Sequence, residues 1–137
     1  MVSVIPRTIM MQAQIPANQP AGYTNKVTIT RDFLEGALNS VQLPLDRRWI
    51  IKDVYVAASG DVGTDGVFIF YKNFDKVVAR SPKASTMLVS NPSRSRVSVP
   101  PYEPGDVLFI QFINTVAGGA SATTTTIYMD VDEVILK

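Results

Sequence analysis

The chain has 137 residues and contains neither cysteine nor histidine. Without cysteine there are no disulfides, no thiolate metal sites and no cysteine nucleophile, and the redox compartment is left undetermined. Without histidine the commonest general base and the commonest transition-metal ligand are missing. Charge is also scarce: Asp, Glu, Lys and Arg make up 18% of residues, against about a quarter in ordinary soluble domains. The formal net charge of +1 gives no global field to attract nucleic acid or a membrane. No apolar run reaches the ~18–20 residues needed to cross a bilayer. The opening "MVSVIPRTIMMQAQIPANQPAG" lacks a basic segment followed by a continuous apolar core, so no signal peptide is read there and use without Sec export is expected.

Hydrophobic residues, by contrast, reach 46%, enough for one domain with a real core. They fall in short runs. "KVTITR" (26–31) alternates with period two, and "WIIKDVYVAAS" (49–59), "VFIFYKNF" (67–74) and "DKVVAR" (75–80) are rich in β-branched and aromatic residues. "SVQLPL" (40–45), "TMLV" (86–89) and "RVSV" (96–99) are shorter candidates. "VLFIQFIN" (107–114) is apolar on both faces apart from Gln111 and reads as a central strand covered on both sides. "RDFLEGALN" (31–39) allows a helical turn or two, weakened by Gly36. "GDVGTDG" (60–66) reads as a turn with glycines able to take positive φ, and Pro104–Gly105 fits the centre of a type II turn. Short strands between Pro, Gly and Asn turns, with no long helix and no fixed repeat, predict an all-β antiparallel sandwich or barrel.

The two ends carry the clearest organisation. In residues 1–25, Pro6, Pro16 and Pro20 forbid a helix, while Ile9, Met11, Ala13 and Ile15 alternate with polar or flexible neighbours. Two readings stand: a first strand of the same domain, or an extended arm that docks on a neighbouring subunit. The expectation adopted is the arm over 1–25, followed by a sandwich domain over 26–137. At the other end "TTTTIYMDVDEVILK" is an unbroken β-former run. Ile127, Met129 and Val131 share one face and Tyr128, Asp130 and Asp132 the other. Beyond Glu133 the alternation fails, as a bulge or a second covered face would make it fail.

Chemical motifs are weak. "DVGTDG" has Gly63 at the third position of a calcium loop and Lys72 at the twelfth, so the ligand spacing fails. Asp130 and Asp132 point the same way, but two neighbouring acids on an exposed face are more often solvated or paired with arginine than catalytic. No nucleophile elbow and no phosphate-binding glycine loop occurs. Ser–Lys or Asp–Asp chemistry is left as the only enzymatic route, so no catalytic residue, no cofactor and no metal site is assigned. Arg47, Arg48, Arg94 and Arg96 lie in or beside loops and suit pairing with the acids or another subunit better than phosphate binding. Trp49, Tyr23, Tyr55, Tyr71 and Tyr102 do not align on one strand as a sugar platform requires.

A proline-broken apolar start, eight or so short strands, "PYEPGDVLFIQFIN", and a Thr-rich loop into "TTTTIYMDVDEVIL" together resemble the small single jelly-roll capsid proteins of tailless icosahedral double-stranded DNA viruses, including those of hot-spring archaea. The likeness covers most of the chain and is architectural. It implies a single jelly roll in a virion shell, made in the host cytoplasm, with copies of itself and other capsid proteins as partners. It assigns assembly to Ile5, Ile9, Met11 and Ile15, and non-specific contact with genome or internal membrane to Arg7 and Lys26. The alternative is a ligand-binding β-sandwich, either a carbohydrate module or a receptor-binding spike or decoration domain.

Overall fold

A computed structural model describes residues 3–31 and 38–136. Eight strands follow in chain order: β1 (Ser3–Ile15), β2 (Thr24–Arg31), β3 (Ser40–Gln42), β4 (Arg47–Tyr55), β5 (Gly66–Lys72), β6 (Lys76–Arg80), β7 (Val107–Asn114) and β8 (Thr123–Ile135). Short 3-10 turns at Ser59–Asp61 and Ala84–Thr86 are the helical elements among the described residues. The helical turn expected near 31–39 falls largely outside those residues.

Every strand pairing in the sheet is antiparallel, in the order β4-β8-β1-β2-β7-β5-β6, with β3 also on β7. The sheet curls at β2. The first half of that strand, Thr24–Lys26, pairs with β7, while Val27–Arg31 pairs with β1. The two flanks thereby become facing layers, β4-β8-β1-β2 and β2-β7-β5-β6. Their inner residues meet in one core of Ile9, Met11, Ile29, Trp49, Phe68, Phe70, Leu108, Ile110, Phe112, Ile127 and Met129. This is the all-β sandwich that the strand spacing predicts, of the jelly-roll type that the resemblance implies. "TMLV" and "RVSV" form no strands. Leu88 makes an isolated bridge to Val56, and the second run leads to a bridge between Tyr102 and Trp49. Pro92, Pro100 and Pro101 around these runs withhold the N–H groups that a ladder needs.

The expected arm is corrected here. Residues 3–15 pair along their whole length with β8, and Ile9–Ala13 also pair with β2, so β1 is an interior strand of this chain's own domain. Ile9, Met11, Ala13 and Ile15 are buried, and a domain boundary at 25/26 would cut through the core. The alternation at 9–15 marks a strand with one buried face. Pro6 is tolerated because β2 does not reach that part of β1, leaving one side without a ladder partner to supply. Burying Ile9, Met11 and Ile15 contributes about 1.5–3 kcal/mol each, comparable with the ~5–15 kcal/mol that separates folded from unfolded domains. A chain lacking residues 1–15 should therefore lose its cooperative thermal transition and cooperative urea unfolding. A truncated chain with an intact transition contradicts this topology.

Two turns show the sequence logic at atomic scale. Gly105 has φ +81° and Asp106 N–H donates to the Glu103 carbonyl at 3.0 Å, as the type II turn requires. The glycines of 60–66 behave otherwise: none has positive φ, and Gly63 and Gly66 are required by close approach of β8 and β7 instead.

Candidate functional site

The three acids near the C-terminus do not form a cleft. Alternation along β8 persists through Glu133, with no bulge in the pairing to β1, so Glu133 turns inward while Asp130 and Asp132 face out. The pattern breaks in sequence because a charged residue occupies an inner position. At 2% exposure, Glu133 must be satisfied by neighbours, since an unpaired buried charge is prohibitively costly. Arg7 Nε donates to its Oε2 at 2.8 Å, Trp49 Nε1 donates to Oε1 at 3.0 Å, and Arg47 Nε lies 3.7 Å away. This clasp joins β1, β4 and β8 at one end of the sandwich.

On the outer face, Tyr55 OH and Thr8 Oγ1 donate to Asp130 Oδ1 at 3.2 and 3.3 Å, and Lys52 Nζ lies 3.8 Å from Asp132. Tyr55 and Tyr128 stack with centroids 5.7 Å apart. Burial, then the neighbouring Asp130 charge, pushes the Tyr55 phenol up to about 12, and burial also raises Tyr128 and Tyr102. Raised phenol values mean that their share of stability is present below about pH 10, their ordinary value, and is lost as pH rises through the folded value. The protein should resist alkali to about pH 10 and weaken towards pH 12. Phenolate absorbance followed with circular dichroism checks this; ionisation of all tyrosines near pH 10 without unfolding would contradict it.

Asp61 and Asp65 are local fasteners. Asp61 accepts from Ala58 N–H at 3.1 Å, and Asp65 accepts from Ser85 N–H at 3.1 Å and Ser85 Oγ at 2.7 Å. Among the described residues no group of three or more acids could hold a metal ion. The arginines pair with acids, as their setting predicts. Arg94, nearly buried, donates Nη2 to both Asp53 oxygens at 2.9 and 2.8 Å; Arg48 reaches Glu103 at 2.8 Å and Arg47 reaches Asp46 at 2.6 Å. A cavity of about 410 Å³ sits where β2 leaves β7 and is lined by Lys26, Asn39, Phe109 and Gln111 among others. Among the described residues its lining holds no acid–base pair.

The residues expected to act together are scattered. Ile9, Met11 and Ile15 fill this chain's own core, so they are unavailable to dock on a neighbour; Ile5 is half-buried near the start of β1. Arg7 is engaged by Glu133 on the inner side, while Lys26 is exposed opposite Gln111 on the outer side. The structure does not bring these two cations together.

What remains is a two-layered wall, and the decisive comparison is with other chains. A family model described as Sulfolobus polyhedral virus 1 major capsid protein VP4 matches residues 8–136. The chain belongs to this capsid protein family. The curated capsid protein VP4 of Sulfolobus polyhedral virus 1 is 26% identical over 132 residues, covering 90% of this chain and 72% of the relative. The role of this VP4-family chain is structural and its place is the virion.

Sequence reasoning missed the surface most informative for a VP4-family subunit. β7 lies centrally in its sheet, yet only its inner face is fully covered; Phe109, Gln111 and Ile113 on the outer face are half-exposed. The expectation of cover on both sides is thus corrected. The signal was present in "VFIFY" and "VLFIQFI", two adjacent strands with apolar residues on both faces.

Proposed function

We propose that this chain is a non-enzymatic shell subunit that self-assembles, with other capsid proteins, into an icosahedral capsid around a DNA genome. The observation that carries the reading is the family match over nearly the whole jelly roll. The low share of charged residues supports it, because side-by-side packing buries surface whose charges would have to be desolvated. Repetition on a closed symmetric lattice lets weak contacts add up. Non-specific contact with genome or internal membrane fits the exposed Lys26 better than Arg7, whose guanidinium holds Glu133. Mass spectrometry of purified particles tests the reading. The chain is expected among the abundant proteins and to stay with the shell after the genome is released; its absence from particles would overturn the proposal.

A further inference from the structure

A net charge near zero conceals a division of charge between the two layers. On or beside the β1–β8–β4 layer the cations are engaged: Arg7 by Glu133, Arg48 by Glu103, Lys52 by Asp132 and Arg94 by Asp53. On the β2–β7–β5–β6 layer, Lys26, Lys76 and Arg80 have no acidic partner among the described residues, nor does Lys83 just beyond β6. One cross-strand row on the outer face reads Lys26–Gln111–Ile69–Arg80 and the next Ser40–Phe109–Tyr71–Val77. Neither row contains an acid; Asp75 lies beyond them, in the β5–β6 turn beside Lys76. With strands about 4.8 Å apart, the backbones of Lys26 and Arg80 stand about 14 Å from each other. An aromatic platform lies next to that row. The Phe109 ring is centred 5.5 Å from Tyr71 and 5.1 Å from Phe74. Phe109 and Tyr71 are half-exposed, and Phe74 is 53% exposed. Phe74 also holds φ +73°, a backbone geometry that a bulky residue keeps only under constraint. Tyr71 OH donates to Gln111 Oε1 at 3.0 Å, which orients the amide and leaves its N–H groups to donate. The cavity of about 410 Å³ beside Lys26 and Phe109 is in the size range of small-ligand sites.

We infer that this face binds single-stranded nucleic acid without strong sequence preference. Bases stack on Phe109, Tyr71 and Phe74, and phosphates are held by Lys26 and Arg80, a span of a few nucleotides. Three features select this partner. Unpaired cations call for an anion, and a second copy of the same face would set cation against cation. Exposed rings on a sheet face stack on bases that are free of a partner strand, whereas a duplex keeps its bases stacked on one another. Gln111 and Asn39 place amides within the patch, where hydrocarbon would leave their donors unpaired and a base edge or phosphate accepts from them. The inference extends the genome contact named above and rests on this face, not on the shell role.

Fluorescence anisotropy of the full-length chain tests it, with labelled oligothymidine and oligouridine strands about ten nucleotides long and a duplex of the same length. Circular dichroism melts confirm that each variant is folded. Lys26→Gln and Arg80→Gln should each flatten the dependence of log affinity on log salt by about 0.7. Phe109→Ala and Phe74→Ala should each weaken binding about fivefold or more and leave that slope unchanged. Lys52→Gln, on the opposite layer, should bind as wild type does. The DNA and RNA strands show which sugar the face prefers, and binding of either supports it. No saturable binding of either strand at about 50 mM salt overturns the inference. So do folded Phe109→Ala and Lys26→Gln chains that bind like wild type, or a duplex bound as tightly as a single strand. Retention on phosphatidylglycerol vesicles without oligonucleotide binding assigns the face to a membrane and overturns it too. If particles contain the chain and any of these results is obtained, the inference fails and the shell reading stands.

Discussion

Replacing Gly66 with alanine should destabilise the domain by about 3 kcal/mol, at the upper end of the cost of overfilling a packed interior, and lower the melting temperature by about 10 °C. A Cβ built there collides with the Phe112 ring and the Ile113 carbonyl oxygen. The oxygen belongs to β7, whose register with β5 runs Gly66↔Asn114, Val67↔Ile113 and Phe68↔Phe112. It cannot retreat without opening that ladder, and Phe112 is fully buried against Phe68 with centroids 4.7 Å apart. Gly63→Ala meets the same obstacle on β8, 2.5 Å from the Thr124 carbonyl oxygen. Gly60 is the control: nothing lies within 4 Å of its Cβ position, so Gly60→Ala should stay within about 0.5 kcal/mol of wild type. Urea unfolding of the three variants separates steric demand from loop flexibility. Equal effects at all three positions would show that close approach is not the cause.

The second large effect is expected at Glu133. Glu133→Ala leaves Trp49 Nε1 without its acceptor and Arg7 without its carboxylate at the closed end of the sandwich. Breaking a buried pair from one side costs about 3–5 kcal/mol. Glu133→Gln keeps an acceptor for Trp49 and should cost distinctly less. Arg7→Met removes a partner that is itself partly exposed, 29% for its side chain, so water compensates in part and the loss should fall between the two. Denaturant midpoints for the three variants check the order. If Glu133→Gln matches wild type, the ionic clasp contributes nothing beyond the Trp49 hydrogen bond; if it matches Glu133→Ala, the retained Trp49 acceptor contributes nothing.

Strand identity was legible wherever one face is buried. Ile127, Met129 and Val131 alternate with Tyr128, Asp130 and Asp132 because the core imposes period two, and β8 carries that pattern in its burial. The type II turn at Gly105 was legible because only glycine occupies that backbone region readily. What was not legible depends on partners distant in sequence. Residues 1–25 read equally as arm or strand, because Ile9 and Met11 show that a face is buried and not whose core buries it. Glu133 looked like an irregularity because its partners Arg7 and Trp49 lie 126 and 84 residues away. Gly63 and Gly66 were assigned to turn flexibility because sequence cannot show which backbone passes overhead. The exposed aromatic patch was missed for the same reason: Tyr71, Phe74 and Phe109 meet only once β5 and β7 are paired.

An electron cryomicroscopy reconstruction of purified virions tests the central claim most directly. Each position of this chain in the shell should be filled by a two-layered antiparallel sandwich, with residues 3–15 paired to Thr123–Ile135 of the same chain. A shell built wholly of other polypeptides, or a subunit whose first strand lies in a neighbour's sheet, would contradict it.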